Sequence, residues 1–504
     1  MNYAMRHPAL LKTLLFGLGF GGMLLYVGDW RVWIFAWITP VVLLYLVRSS
    51  RWLLGLFPLF VMAVGASMIA RQGLSPLSDW VSLLIGSTAF AVSFILPFVF
   101  DKLLHQKLPR VSSTLVFPAS LVVLELANAY GQWGAWGQLV HTQFELVALM
   151  QSASLLGAFV VTFFIAWFAP MVLYVLKNRD RTGGMVKAGV VYAVLLVSLV
   201  TFGAMRLELG SSVSKTVPIA AIINDTDLFG LYLDPQNTQE FMSTQKTIEH
   251  QLARTEQAAN AGAKIIAWNE GSLILDPDLL DRMMTGVKSI CLEYQVYVLP
   301  SYTLVIKSPN EKPFLNRNVL VAPDGEVKWT YDKAYPVPMV ELPLVAPGSG
   351  VIPYHDSEYG RLGTVICFDM DVHTLLRQAS SNDIDILLVP AADWEGITPI
   401  HTQMASLEAI QNGFSLVRIC SHGFTGAYDW RGTLLAGLND FESDSDIALA
   451  HVPTRGRGTL YGIIGHAFAF VCLMFMAGSI FYVTFITIRQ RFSNDMGSPI
   501  QNNH

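Results

Sequence analysis

Apolar runs of membrane-crossing length recur along this chain and restrict its fold more than any other feature. A helix needs about 20 predominantly apolar residues to cross the hydrocarbon core of a bilayer. Such stretches lie near 8–27, 31–48, 52–70, 79–100, 150–176 and 186–206, with another near 463–487. A weaker candidate near 112–130 contains Pro118, Glu125 and Asn128. Only 14% of the 504 residues are charged, roughly half the share in an ordinary soluble protein. The first run could pass for a signal peptide, but no convincing small-residue cleavage site follows it and further runs do, so it reads as a retained span.

Counting the weak run gives eight spans, and the distribution of basic residues supports counting it, since cytoplasmic loops collect Lys and Arg. With the N-terminus inside, Arg6, Lys12, Arg48, Arg51, Lys102, Lys107, Arg110, Lys177, Arg179, Arg181, Lys187, Arg489 and Arg491 fall on the inner side. Arg31 and Arg71 are all that the short outer loops hold, with Arg206 at the outer end of the seventh span. The layout predicted is a transmembrane bundle of about seven helices over 1–206, a non-cytoplasmic domain over 207–456, a returning helix over 457–488 and a cytoplasmic tail over 489–504. Glu125, the one ionisable group well inside a span, reads as functional, as lying near an interface, or as a partner for a neighbouring helix.

The middle domain alternates two periodicities. Strands are predicted at Val217–Asn224, Lys264–Trp268, Val296–Val305, Asn318–Val321, Val327–Tyr331, Leu362–Cys367, Ile386–Pro390 and Phe414–Cys420, with a hairpin turn at Asp324-Gly325. Helices fit 235–262, 277–293 and 400–412. This mixed order predicts an α/β sandwich. A net charge of −5 and the lack of a basic stripe with interleaved aromatics argue against nucleic acid as a partner. Cys291, Cys367, Cys420 and Cys472 form no CxxC pair and stand at no metal-ligand spacing from a His, so neither a disulfide framework nor a metal or other cofactor is expected.

Three β-rich runs each end on a reactive side chain: Ile265–Trp268 before Asn269-Glu270, Trp329–Tyr331 before Asp332-Lys333, and Thr364–Ile366 before Cys367. A cysteine attacks as the thiolate, and its ordinary pKa leaves it mostly protonated at neutral pH, so it needs a base or a neighbouring cation. Glu270 can take the proton and return it to a leaving group. Lys333 can stabilise the oxyanion that grows on an attacked carbonyl. Taken singly, each has a plainer reading: a buried Cys, a solvated turn Lys, a helix-start Glu.

The surroundings of these residues resemble the nitrilase superfamily, and within it the bacterial apolipoprotein N-acyltransferases. Ala267-Trp268-Asn269-Glu270 is similar to that family's Trp-Pro-Glu, Tyr331-Asp332-Lys333 with Val337-Pro338-Met339-Val340-Glu341 to its Tyr-Asn-Lys and Val-Pro-Phe-Gly-Glu, and Cys367-Phe368-Asp369 to its Cys-Tyr-Glu. The resemblance implies an αββα catalytic domain in a multi-pass protein of the bacterial inner membrane, with Glu270, Lys333 and Cys367 catalytic and Glu341 a further acid. It implies transfer of an acyl chain from a phospholipid through a Cys367 thioester to the α-amino group of a lipid-modified N-terminal cysteine, or a related amine. Residues about 339–349 would form an apolar loop over the site. Phe368 and Trp394 would line it, Trp394 as a pocket wall, and Asp369 is either a helix cap or an active-site acid. The sequence departs from the family at Asn269, Phe368 and Asp369, at Ala391–Glu395 in place of Asn-Asp-Ala-Trp-Phe, and at Cys420–Gly423 in place of Thr-Asn-Asn-Gly. The same triad with water as acceptor would make a membrane-tethered amidase, and a chain without activity would be a transport or scaffold protein. His401, His422 and His451 are expected to be ordinary.

Overall fold

The computed structural model describes residues 8–27, 32–74, 79–178, 184–209, 215–306 and 312–496. Arg6, Arg31, Arg179 and Arg181, used above for orientation, and the end of the tail from 497 lie outside them.

The apolar runs form helices α1 (Pro8–Tyr26), α2 (Phe35–Ser49), α3 (Trp52–Ala70), α4 (Trp80–Leu104) and α5 (Val116–Ala129). After two single turns, α6 (Val147–Met150) and α7 (Ala153–Leu156), come α8 (Ala158–Lys177) and α9 (Gly184–Leu209). Five of the described helices, α3, α4, α8, α9 and the C-terminal one, are long and apolar enough to cross a membrane. Leu53, Trp80, Val197 and Phe481 stand exposed on these helices, a surface suited to lipid rather than water. Buried Asp101 of α4 ties the bundle together by accepting two hydrogen bonds from Arg48 of α2, at 2.7 and 2.8 Å.

Three spans differ from expectation. The 31–48 run is helical only over Phe35–Ser49, 15 residues. The 112–130 run is helical only over Val116–Ala129, 14 residues or about 21 Å, shorter than a bilayer core. Pro118 sits in its first turn, where it breaks no hydrogen bond, and Glu125 is buried with Oε1 accepting from the Leu139 N–H at 2.7 Å. That carboxylate anchors the connection to the next helices, in keeping with the partner reading. The 150–176 run starts its long helix only at Ala158, because Gly157 at φ +79 redirects the chain, and a side chain there would strike the Tyr461 ring.

The domain that follows is two stacked sheets between helices. It opens with β1 (Thr216–Ile222), α10 (Leu228–Leu233), α11 (Thr238–Phe241), α12 (Gln245–Asn260), β2 (Ile265–Trp268), β3 (Leu273–Leu275), α13 (Pro277–Tyr294), β4 (Tyr297–Leu299), β5 (Ser301–Val305), β6 (Phe314–Val321) and β7 (Val327–Asp332). It continues through β8 (Tyr354–Ser357), β9 (Gly360–Thr364), α14 (His373–Ser381), β10 (Ile386–Ala392), α15 (Ile400–Asn412), β11 (Ser415–Ser421), β12 (Phe424–Tyr428), β13 (Leu434–Asn439) and β14 (Ile447–Pro453). Among the described residues one sheet runs β14-β1-β2-β4-β6-β5-β3 with β7 paired to β6, and the other β13-β12-β11-β10-β9-β8. Alternation on the strands builds three layers of core. Ile219, Ile386, Leu388 and Ile419 fill the space between the sheets. Ala220, Ile222 and Ile266 pack outward with α12 and α13, and Leu387, Val389 and Ala391 with α14 and α15. The expected strand over 296–305 is two strands broken at Pro300, which has no N–H to give a ladder, and the expected helix over 235–262 is regular only from Gln245. Strands β3, β8, β12, β13 and β14 were not expected; β3 and β8 have only three and four residues, and half of β13 is exposed.

The chain then passes through α16 (Leu460–Ile464) into the long α17 (Ala467–Met496). The sandwich is docked on the bundle by polar contacts. Ala135 N–H donates to the Asp371 carbonyl at 2.8 Å, Ala158 N–H to Gln411 Oε1 at 3.0 Å and Trp394 Nε1 to the Gly73 carbonyl at 2.8 Å.

Candidate active site

Glu270, Lys333 and Cys367 come from three separate strand ends and meet between the two sheets. Glu270 follows β2, where Asn269 takes the place of the family's proline. The Asn269 side chain clamps the end of β1, accepting from Asn224 N–H at 2.8 Å and donating to its carbonyl at 3.2 Å. Glu270 is 1% exposed. Its Oε1 accepts from Lys333 Nζ and Asn316 Nδ2, both at 2.7 Å, and its Oε2 from the Ala392 N–H at 2.9 Å.

Lys333, fully buried, follows β7 and is held by its own backbone: its N–H donates to the Asn316 carbonyl at 2.9 Å and its carbonyl accepts from Gly348 N–H at 2.8 Å. The ammonium also lies 2.8 and 2.6 Å from the two oxygens of Glu341. Burial alone would lower its pKa, but Glu270 and Glu341 raise it well above the ordinary lysine value. Lys333 is therefore a permanent cation. Glu341 is fixed by the Val337 N–H at 2.8 Å, and burial raises its pKa against the pull of Lys333.

Cys367 begins the 3-10 turn Cys367–Asp371, three residues beyond the end of β9, with φ +45, a left-handed conformation that costs a non-glycine residue of order 1 kcal/mol or more. The strain turns the side chain toward β10, where Sγ lies 3.8 Å from the Ala392 carbonyl. One residue, Ala392, thus meets Cys367 with its carbonyl and Glu270 with its N–H. Burial and then Glu270 push the thiol pKa well above its ordinary value, opposed by Lys333 and Arg418. The resting form is a neutral thiol beside a carboxylate, an arrangement that favours proton removal during attack.

Asp369 is neither exposed nor a plain helix cap. Its carboxylate accepts from Tyr331 Oη at 2.7 Å, Tyr335 N–H at 2.8 Å and Ile366 N–H at 3.1 Å, binding the Cys367 turn to the Lys333 loop. Burial raises its pKa against these bonds. Phe368 is buried beside Cys367. Trp394 departs from the pocket-wall expectation: its Nε1 bonds to Gly73 in the α3–α4 connection and its ring packs edge-on against Phe229, 5.4 Å between centroids. It acts as a pin between domain and bundle.

Sequence reasoning missed a buried charge cluster next to the thiol. His401, expected to be ordinary, is clamped between Asp371 at 2.9 Å and Asp393 at 2.8 Å. Arg418, fully buried, grips both oxygens of Asp393 at 2.8 Å. Burial and Arg418 push the His401 pKa down, yet the two aspartates win and raise it from 6.5 to about 9. Burial pushes Asp393 upward, and Arg418 with His401 reverses this and holds it far below the carboxylate range. Cys367 Sγ, an Asp393 oxygen and a His401 nitrogen lie within 4.8 Å of one another. Both Asp393 oxygens are engaged by the guanidinium, so the trio is a filled ion-pair network rather than an open ligand set. Asp393 falls within Ala391–Glu395, already marked as a departure, and that was the signal available. Asn316 and Arg418 had none, being central strand residues of ordinary type.

Residues 235–457 match the family model described as carbon-nitrogen hydrolase. With the paired sheets and the buried acid, lysine and cysteine, the match makes this an enzyme of the nitrilase superfamily, here joined to an apolar helical bundle. Over most of its length the chain is similar to curated apolipoprotein N-acyltransferases. It is 25% identical to that of Geobacter metallireducens, covering 77% of this chain and 78% of the relative, and 22% identical to that of Vibrio cholerae, covering 90% and 93%. The chain is a divergent member of that membrane branch of the superfamily. Among solved structures it resembles an amidase from Nesterenkonia sp., at 16% identity and a TM-score of 0.39, over 48% of this chain and 93% of that one.

Proposed function

We propose that this protein is an inner-membrane acyltransferase that moves a fatty acyl chain from a phospholipid, through a thioester on Cys367, to the α-amino group of a lipoprotein N-terminal cysteine or a related amine. The observation that carries the reading is Ala392, the end residue of β10, whose N–H binds Glu270 and whose carbonyl meets the Cys367 thiol, beside the fixed ammonium of Lys333. Cys367 Sγ attacks the ester carbonyl while Glu270 takes the thiol proton, and Lys333 stabilises the oxyanion. The carbon–oxygen bond then breaks, Glu270 protonates the leaving lysophospholipid oxygen, and the thioester remains. The amine attacks that thioester, Glu270 removes the nitrogen's proton, and the thiolate leaves and is reprotonated. Glu341 holds Lys333 in place, and Asp369 holds the Lys333 loop to the cysteine turn.

The turn carrying Glu341 also carries Met339 and Leu342, both exposed, which gives acyl tails an apolar surface at the site entrance. The charge asymmetry of the loops supports a non-cytoplasmic position for residues 207–456, with 1–206 and 457–488 in the membrane and 489–504 inside.

The test is incubation of purified protein with chain-labelled phospholipid. A hydroxylamine-sensitive acyl group should appear on Cys367 and be discharged by a diacylglyceryl lipopeptide with a free amine. Discharge to water at the same rate without the lipopeptide points to a hydrolase, and no labelling with full biological function in Cys367→Ala points to a scaffold; either result overturns the proposal.

A further inference from the structure

A left-handed residue such as Cys367 keeps its conformation only where its neighbours over-determine it. Asp369 fixes the front of the turn through Tyr331, Tyr335 and Ile366. The last residue of the turn, Asp371, is buried and gripped from two sides. Its carbonyl accepts from the Ala135 N–H at 2.8 Å, and its Oδ2 lies 2.9 Å from Nε2 of His401. His401 stands in the first turn of α15, and its other ring nitrogen, Nδ1, lies 2.8 Å from Oδ1 of Asp393. Asp393 directly follows Ala392, whose carbonyl the thiol meets. One imidazole thus spans from the turn that carries Sγ to the strand end that Sγ faces. The Trp136 ring, from the connection between α5 and α6, packs on it at 5.2 Å between centroids.

Both ring nitrogens face carboxylate oxygens, and an imidazole donates from both only when it is protonated. The charged groups around it are Asp371 on the cysteine turn, Asp393 beyond β10 and Arg418 on β11. His373 of α14, 2.6 Å from Glu408, also feels Asp371, and the Cys367 and Cys420 thiols feel Asp393 and Arg418. Arg418 Nη2 lies 2.9 Å from His401 Nδ1 and donates to the same Asp393 oxygen at 2.8 Å. When His401 loses a proton, Nδ1 turns from donor to acceptor. It then takes a hydrogen from Arg418 instead of giving one to Asp393, while Nε2–H keeps its hold on Asp371. The direct tie to Asp393 opens, and a positive charge leaves a group within 4.8 Å of Sγ, which makes the thiolate harder to form.

We propose that His401 is a positioning residue for the chemistry at Cys367: by bonding Asp371 and Asp393 at once, it holds the strained cysteine turn with Sγ against the Ala392 carbonyl. The inference rests on Cys367 being the nucleophile, as in the function proposed above, and not on which acyl donor it meets.

The test is single-turnover acylation of the full-length protein by chain-labelled phosphatidylglycerol, from neutral pH to beyond the His401 pKa, which burial and Arg418 lower and the two aspartates raise, to about 9 overall. The native rate should fall as pH rises through that value. His401→Gln, whose amide can donate to Asp371 and accept from Arg418 as the neutral ring does, should acylate about tenfold more slowly at neutral pH and show no such fall. Asp371→Asn keeps an oxygen for Nε2–H but removes a charge that raises the imidazole pKa, so the fall should move to lower pH by about one unit or more. It also serves if His401→Gln does not fold. Both variants should keep the native KM for phospholipid, the losses lying in the rate of the bound complex. Alkylation of Cys367 by iodoacetamide, read by peptide mass spectrometry, should likewise be about tenfold slower in His401→Gln at neutral pH. That readout needs no lipid, so it still judges the role of His401 if phospholipid fails to acylate even the native enzyme, a result that counts against the donor alone. A native rate with its alkaline fall in His401→Gln, a loss carried by KM, a fall that stays in place in Asp371→Asn, or alkylation as fast as in the native protein would each overturn the proposal.

Discussion

Replacing Glu270 by Gln separates two ways in which Cys367 could become nucleophilic, because they respond with opposite sign. The amide keeps the shape of the carboxylate. Its oxygen can still accept from Lys333 and Asn316, both now at 2.7 Å. Its NH2 group then faces the Ala392 N–H, which donates to Oε2 at 2.9 Å in the native site. One charge-assisted bond is lost, on the order of 2 kcal/mol, while Glu341 still neutralises Lys333. The variant should fold, with a stability loss of about that size in thermal or denaturant unfolding. The thiol, meanwhile, loses the carboxylate that helps burial keep its pKa high. Its thiolate fraction rises, and alkylation by iodoacetamide should become faster. If Glu270 is the base, single-turnover acylation by labelled phospholipid should instead fall by about 10² to 10⁴. Faster alkylation with slower acylation is the expected pair. Acylation that keeps its native rate, or quickens together with alkylation, would refute the assignment of Glu270 as proton acceptor.

Asp393→Ala leaves Arg418 buried without its bidentate partner, and unfolding measurements should show a loss of about 3–5 kcal/mol. His401 is protonated in the folded state up to about pH 9 against an ordinary value of 6.5. Its contribution is therefore complete below pH 6.5 and fades as pH rises through 9, by on the order of 3 kcal/mol in total. His401→Gln should flatten the stability profile across that window, and an unchanged slope there would assign it to other groups. Gly134→Ala would drive a methyl group into the Asp371 carbonyl from a residue at φ +57. It should loosen the contact between bundle and cysteine turn, read as faster hydrogen exchange over 367–373 and lower acylation with unfolding of the sandwich core little changed.

How much of this was legible in advance follows from how local each cause is. The apolar runs announced the helices, since lipid compatibility is a property of about 20 consecutive side chains, while short helices at 31–48 and 112–130 and Gly157 at 150–176 altered the spans. Strands with strong β-rich character were found, whereas β3 and β8, of three and four residues, are too short to carry a periodic signal. Glu270, Lys333 and Cys367 were visible because each ends a β-rich run inside a recognisable motif. The roles of Asn269 and Asp369 were not, since each depends on backbone groups far away in the chain.

By itself, then, the sequence determined that this is a membrane protein with a carbon-nitrogen hydrolase domain and named three reactive residues, because composition, periodicity and local motifs are carried by neighbours in the chain. Tertiary structure alone decided that Ala392 joins Glu270 to Cys367, that Lys333 lies between two carboxylates, that His401 and Arg418 enclose Asp393, and that Trp394 pins the domain to the bundle. Most of those are contacts between residues tens to hundreds of positions apart, and their energies depend on burial that exists only once two sheets and a helical bundle have closed around them.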